Sequence, residues 1–170
     1  MTMRAPALKA REGAGCRHIA FHPSKPLAYL ANELDSTITT YAWDSEKGVL
    51  TPLQIVPAAP QDFTGDNTAA GIATSSDGRF LYVSNRGHDS IAISAIGAEN
   101  GLLKSDSWTS TQGKQPRFFA LSPTGDHLYA ANENSDTIVD LAIDRISGRL
   151  TPTAQIIRTG SPTCIVFRHA

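Results

Sequence analysis

The residue types in this chain that could do chemistry are three arginines and their neighbours. Arg17-His18 stands 15 residues before Asn32-Glu33, Arg117 stands 15 residues before Asn132-Glu133, and Asn85-Arg86 falls between them. A guanidinium group grips carboxylate or phosphate oxygens through paired hydrogen bonds, and a glutamate nearby can take a proton from water. Each member also has a plainer use. Arginines at strand starts are commonly paired with structural carboxylates, and loop charges such as Glu33 and Arg86 are commonly just solvated. His22 and His88 fit turn or surface positions, and His18 divides evenly between packing and function. Asn32, Asn85 and Asn132 fit turn closure by their side chains, although Asn32, Asn85, His18, His88 and Arg117 also stand as candidate substrate contacts. No GxSxG, HExxH, P-loop or GxGxxG is present, and the five histidines lack metal-ligand spacing, so neither a metal nor a cofactor is expected.

The composition narrows the function classes. A chain of 170 residues, 41% apolar and 18% charged, is long enough for one globular domain with a core. Its net charge of −1, with basic residues scattered, gives no electrostatic reason to expect nucleic acid or an anionic membrane as partner. Cys16 and Cys164 are too far apart for a zinc knuckle or a redox CxxC, and read as two reduced, half-buried thiols. No apolar run approaches the roughly 20 residues that span a bilayer, and no signal peptide is visible, so a cytoplasmic location is the expectation.

The elements that must position the charged residues repeat. Ser76 to Ile91 comprises a Gly-bearing turn, an alternating apolar strand stopped by Asn85, and an Asp-Ser-Ile step that opens the next strand. Versions of it occur at Pro26 to Ile38 and Gly125 to Ile138. Asn32, Asn85 and Asn132 lie 53 and 47 residues apart, and so do Gly48, Gly101 and Gly148 and the first-strand residues Arg17, Ala70 and Arg117. Four short strands per period of this length, without a helical pattern, indicate the blades of an all-β propeller.

In the first unit the strands are expected near Arg17 to Pro23, Leu27 to Asn32, Thr37 to Trp43 and Val49 to Val56. The second has Ile72 to Thr74, Phe80 to Ser84, Ile91 to Ile96 and Leu102 to Thr109. The third has Phe118 to Leu121, His127 to Ala131, Thr137 to Ile143 and Leu150 to Ile157. Thr163 to Phe167 reads as the first strand of a fourth blade, residues 1–15 as an irregular lead-in, and 16–170 as a partial propeller. The six extra residues of the first period fall between Pro57 and Asn67. Because the first strand of a blade lines the channel and neighbours run antiparallel, Arg17, His18, Arg117, Glu33, Arg86 and the long connection with Asp62 and Asp66 should gather at one mouth.

Five stretches, Gly15 to Pro23, Asn32 to Ser36, Asp62 to Ala70, Ser76 to Ile91 and Gln115 to Phe118, together resemble the bacterial seven-bladed propeller lactonases of the cytoplasmic 6-phosphogluconolactonase type, relatives of the fungal carboxymuconate lactonizing enzymes. The likeness runs from about Gly13 to Phe167. It implies an active site containing Arg17, Glu33 and Arg86 and a sugar-acid lactone, phosphorylated, as substrate. On that reading Glu33 is the base if a pocket raises its pKa, Arg17 stabilises the oxyanion, and Arg86 with Arg117 holds carboxylate or phosphate. A non-enzymatic binding propeller or inactive remnant, and a muconate-type lactonizing enzyme, are the alternatives. Three departures stand out. Cys16 replaces a usual Pro, Gly71 replaces a usual acid and so removes a channel-facing carboxylate, and the family chain is about twice as long, this one resembling its C-terminal half. Such a half exposes unpaired edges, from which self-association, and activity only when the ring is completed by missing blades or by dimerisation, are expected.

Overall fold

The computed structural model describes residues 8–168. Twelve strands form three antiparallel meanders of four, each pairing in chain order. Blade 1 holds β1 (Cys16–Phe21), β2 (Leu27–Asn32), β3 (Thr37–Asp44) and β4 (Val49–Pro57). Blade 2 holds β5 (Thr68–Thr74), β6 (Phe80–Arg86), β7 (Ser90–Ile96) and β8 (Leu103–Ser110), and blade 3 holds β9 (Pro116–Leu121), β10 (His127–Asn132), β11 (Thr137–Ile143) and β12 (Leu150–Arg158). The innermost strands lie side by side, β1 against β5 and β5 against β9. The all-β partial propeller read from the repeat is therefore the fold, with three complete blades.

Second and third strands carry apolar side chains on both faces, and among the described blades blade 2 is covered by a neighbour on either side. β2, β6 and β7 are almost wholly buried, whereas the outer strands β4 and β12 are largely exposed. One core lies between blades 1 and 2, around Tyr29, Ile38, Leu81 and Val83, and another between blades 2 and 3, around Tyr82, Ile91, Leu128 and Leu141. The same polar contact crosses both junctions. Tyr29 Oη donates to the carbonyl of Gly101 at 3.0 Å, and Tyr82 Oη to that of Gly148 at 3.1 Å. Burial pushes both phenols up to about 12, since an ionised oxygen there would lose its hydration.

Several local expectations need correction. β5 starts at Thr68, ahead of the expected Ile72, because Ala69-Ala70-Gly71 carries no alternating apolar signal yet still pairs with β6. Thr163 to Phe167 is not a strand. It packs onto blade 3 through the Phe167 ring, 5.6 Å from that of Tyr129, but among the described residues it has no second strand to pair with. Residues 8–15 are without regular structure, as expected, yet are not detached. Ala14 is buried, and Gly15 and Ala14 carbonyls accept from Glu33 and Leu34 amides at 2.7 and 3.0 Å. Residues 1–7 lie outside the described residues. Cys16 and Cys164 are exposed rather than half-buried.

Candidate functional site

Arg17 owes its direction to a break in strand pairing. In blade 1 Cys16 faces Asn32 and His18 faces Ala31, so Arg17 is an extra residue in β1. Blade 3 repeats this, with Pro116 opposite Asn132 and Phe118 opposite Ala131, leaving Arg117 extra. Blade 2 has its irregularity between Ala69 and Ile72, over Ala70. A bulge at the same place in each blade re-aims the extra side chain and ends regular pairing. Glu33, directly after β2, and Arg86, at the end of β6, occupy equivalent places on their blades. Blade 2 differs at both: it carries alanine where its neighbours carry arginine, and arginine where they carry glutamate.

The consequence is a bridge between blades. Arg86 Nη2 donates to Glu33 Oε1, while Arg17 Nε sits 3.6 Å from Glu33 Oε2, so one carboxylate holds guanidinium groups from two blades. The Arg17 and Arg86 side chains are 13% and 10% exposed and Glu33 33%. Arg86 Nε is buried with no hydrogen-bond partner among the described atoms. Arg117 pairs within its own blade with Glu133, 3.7 Å away. Within this cluster of five side chains the arginines outnumber the glutamates by one.

Electrostatics fix the protonation states. The hydrogen bond from Arg86, followed by the charges of Arg86, Arg17 and Arg117, holds the Glu33 carboxyl below its ordinary value in spite of partial burial. The opposite shift, needed for a carboxylate base poised near neutrality, is absent. Burial, then the charge of Arg86, lowers the Arg17 guanidinium. Burial and Arg17 also lower His18, whose Nδ1 lies 3.1 Å from Arg17 Nη1. Arginine can only donate, so His18 Nδ1 accepts and the neutral ring carries its proton on Nε2.

Comparison with known proteins decides the family. The model of the lactonase, 7-bladed beta-propeller family matches residues 2–167. The chain belongs to that family. A 6-phosphogluconolactonase of Bacillus subtilis is 39% identical over 157 residues, which are 92% of this chain and 45% of the relative. Among solved structures, a Lactobacillus plantarum protein superposes with a TM-score of 0.88 at 39% identity, covering 92% of this chain and 46% of the other. A periplasmic gluconolactonase of Pseudomonas aeruginosa gives 0.86 at 36% identity, covering 92% and 43%. The chain thus spans about half the length of the lactonases it matches.

Within this lactonase-family chain, the remaining candidates separate. His18 joins the Arg17–Glu33 cluster, and the long connection reaches the same mouth: Asn67 Nδ2 donates to Ser36 Oγ at 3.1 Å and to Asn85 Oδ1 at 3.0 Å. Gly87, with φ +117°, is required there, because a Cβ would stand 2.0 Å from the Asp66 carbonyl oxygen. Asn32 and Asn85 are 2% and 0% exposed, which removes them as substrate contacts and leaves the structural reading. The Asn32 amide donates to Thr37 and Thr39 hydroxyls, both at 2.9 Å, and the Asn85 amide to the Ala58 carbonyl at 2.8 Å. Asn132 repeats the second arrangement toward Thr111, at 3.0 Å. His88 faces the connection rather than the arginines, its Nδ1 2.7 Å from Ser90 Oγ and its ring 4.9 Å from that of Phe63.

His22 is not a surface histidine. It is 7% exposed, its Nδ1 accepts from the Ser24 and Lys25 amides, and its Nε2 therefore donates to the Gly78 carbonyl of blade 2 at 3.1 Å. Nor does Gly71 face the channel: a Cβ there would lie 3.0 Å from the Phe119 ring, between blades 2 and 3. Glu133, which follows Asn132 as Glu33 follows Asn32, stands at the mouth as the partner of Arg117. Among the described residues no group of three His, Cys, Asp or Glu side chains forms a metal cage.

Proposed function

We propose that the mouth built by Arg17, Glu33 and Arg86 binds a sugar-acid lactone carrying a phosphate, and that this chain supplies that part of a 6-phosphogluconolactonase-type hydrolase. The carrying observation is the buried Arg86 guanidinium, which bridges to Glu33 yet keeps Nε without a partner. A phosphate oxygen is a stronger acceptor site for that fork than a shared carboxylate. The arginine excess within the cluster favours an anion, and the 6-phosphogluconolactonase name of the Bacillus relative agrees.

In the reaction a water oxygen bonds to the lactone carbonyl carbon, and the ring C–O bond breaks. The products are a carboxylate, a hydroxyl and one proton released to solvent. Arg17 faces the negative charge that grows on the carbonyl oxygen, while Arg86, helped by Arg117, holds the phosphate. Glu33 enters ionised. Its pKa is depressed chiefly by the Arg86 hydrogen bond, so a phosphate that draws Arg86 away raises its basicity when substrate arrives. Glu33 then takes the water proton and returns it to the leaving ring oxygen. The test is the pH–rate profile for 6-phosphogluconolactone with wild type and Glu33→Gln. A loss of at least tenfold is expected from removing a positioned base, and equal rates would remove Glu33 from the mechanism.

A second reading, binding without turnover, is favoured by the same depressed Glu33 carboxyl, which makes a weak base while Arg86 stays in place. Tight binding of 6-phosphogluconate with no hydrolysis above the spontaneous rate would select it. The reading assigns the protein to the cytoplasm. Cell fractionation checks this, since the Pseudomonas aeruginosa neighbour is named periplasmic.

A further inference from the structure

Three places before the bulge residues Arg17, Ala70 and Arg117 stand Ala14, Asn67 and Lys114. In blades 1 and 3 the carbonyl at that place holds the blade's own turn after the second strand: Ala14 accepts from the Leu34 amide at 3.0 Å and Lys114 from the Asn134 amide at 3.2 Å. Blade 2 is built differently. The Asn67 carbonyl accepts from the Ser36 hydroxyl of blade 1, and the Asn67 side chain takes over its own blade's turn, Oδ1 accepting from the His88 amide at 3.1 Å. Its Nδ2 donates to Ser36 Oγ and to Asn85 Oδ1. One residue thus ties the turn that carries Glu33 to the turn that carries Arg86. Blade 2 is also the blade with alanine at the bulge, and its Arg86 is the arginine whose glutamate lies across a junction, whereas Arg17 and Arg117 each have one on their own blade.

We propose that Asn67 is a positioning residue for Arg86, a clamp between the turns after β2 and β6 that sets the span across which Arg86 meets Glu33. A pair within one blade needs no such device, because a single sheet fixes both partners. A pair across a junction depends on how two sheets sit against each other. At the junction of blades 2 and 3, which no ion pair of the mouth crosses among the described residues, Asp89 takes the place of Ser36 and accepts from the Gln115 backbone amide at 2.8 Å, and Lys114 takes the place of Asn67. The Asn85 Oδ1 that Asn67 satisfies has its counterpart in Asn132 Oδ1, which is buried without a partner among the described atoms. The fold therefore holds at such a junction without this bond, and the effect of Asn67 is on placement more than on stability. On the reading of the mouth as the lactone site, on which this role rests, the clamp keeps the Arg86 fork preset for the phosphate and Glu33 within its reach.

The experiment is an NMR titration of the Glu33 side-chain carboxyl in the 170-residue chain without ligand, for the parent, Asn67→Ala, Arg86→Ala and the double variant. Arg86→Ala marks the full loss of the bridge. Asn67→Ala is expected to raise the Glu33 midpoint part of the way from the parent toward Arg86→Ala, and to add nothing once Arg86 is gone, since residues that act through one contact are not additive. Ser36→Gly is a second, milder cut: it removes the tie to blade 1, leaves the bonds of Asn67 to Asn85 and His88, and suits the backbone there, whose φ is +52°. It is expected to move the midpoint in the same direction as Asn67→Ala. A midpoint equal to the parent's in both Asn67→Ala and Ser36→Gly overturns the proposal. So does a shift from Asn67→Ala that persists undiminished in the Arg86→Ala background, because Asn67 would then act on Glu33 without Arg86. The titration needs no ligand, so it decides the clamp separately from the hydrolysis assay that decides the reaction.

Discussion

Arg86→Ala tests the central contact of the mouth. The side chain is 10% exposed and its guanidinium joins blade 2 to Glu33 of blade 1. A hydrogen bond to a charged group is worth about 1.5–3 kcal/mol. Glu33 is one-third exposed and keeps Arg17 at 3.6 Å, so solvent and the second arginine replace part of that, and a net loss of about 1–2 kcal/mol follows. For a chain of this size that lowers the melting temperature by about 3–6 °C.

The pH dependence gives a second, independent readout. Glu33 has a folded pKa below its unfolded value, so its contribution is fully present above the ordinary glutamate range, about 4.3, and disappears as pH falls through the folded value. Removing Arg86 removes the leading cause of the depression. The acid-side loss of stability should therefore move to higher pH in the variant. Melting followed by circular dichroism from neutral pH to about pH 3 covers that window. Identical melting temperatures at neutral pH, together with superimposable acid limbs, would refute the bridge.

Tyr82→Phe should cost about 1 kcal/mol or more in urea denaturation, because it leaves the buried Gly148 carbonyl without its donor. The same change at Tyr129, whose hydroxyl has no such acceptor among the described residues, should cost much less. His22 should make the fold acid-sensitive at mildly low pH. Burial is the main cause that lowers its pKa below the unfolded value of about 6.5, so the unfolded chain binds the extra proton first and stability falls as pH drops below that value. His22→Gln should flatten that part of the stability–pH curve, and an unchanged curve would argue against a neutral buried ring. Both Cys16 and Cys164 should react with a thiol reagent in the native protein, as fast as in urea, given their exposure.

The blades were legible in the sequence because strand alternation, turn glycines and terminal asparagines recur in register, three independent signals that only a stack of similar units satisfies. Strand limits were legible wherever apolar alternation reached the end of pairing, as in β2 and β11. They failed at β5, where Ala69, Ala70 and Gly71 are too small to mark a face. They failed again at Thr163 to Phe167, where local pattern was present but pairing depends on a second strand. The mouth was legible as a place: Arg17, Glu33 and Arg86 do meet there. Its electrostatics were not. Nothing in the spacing shows that Arg86 reaches across a blade boundary, and that single contact turns Glu33 from an expected base with a raised pKa into a carboxylate with a lowered one. The burial of Asn32 and Asn85 was equally invisible, since an asparagine that closes a turn and one that faces a ligand look alike in sequence.

The bulge that recurs in every blade gives the mouth a set of interchangeable addresses. Arg17, Ala70 and Arg117 share one, and Glu33, Arg86 and Glu133 the other. With arginine at the first and glutamate at the second, a blade neutralises itself, as blade 3 does through Arg117 and Glu133. Blade 2 breaks that rule, and so its charge has to be answered by its neighbour. The charge pattern of such a frame is set by which blade carries arginine at each address, and blade 2 departs from its neighbours at both. The double exchange Ala70→Arg with Arg86→Glu would give each of the three described blades its own pair only at the cost of placing a guanidinium where Ala70 is fully buried, so the bridge from Arg86 to Glu33 is what this packing allows blade 2 to make.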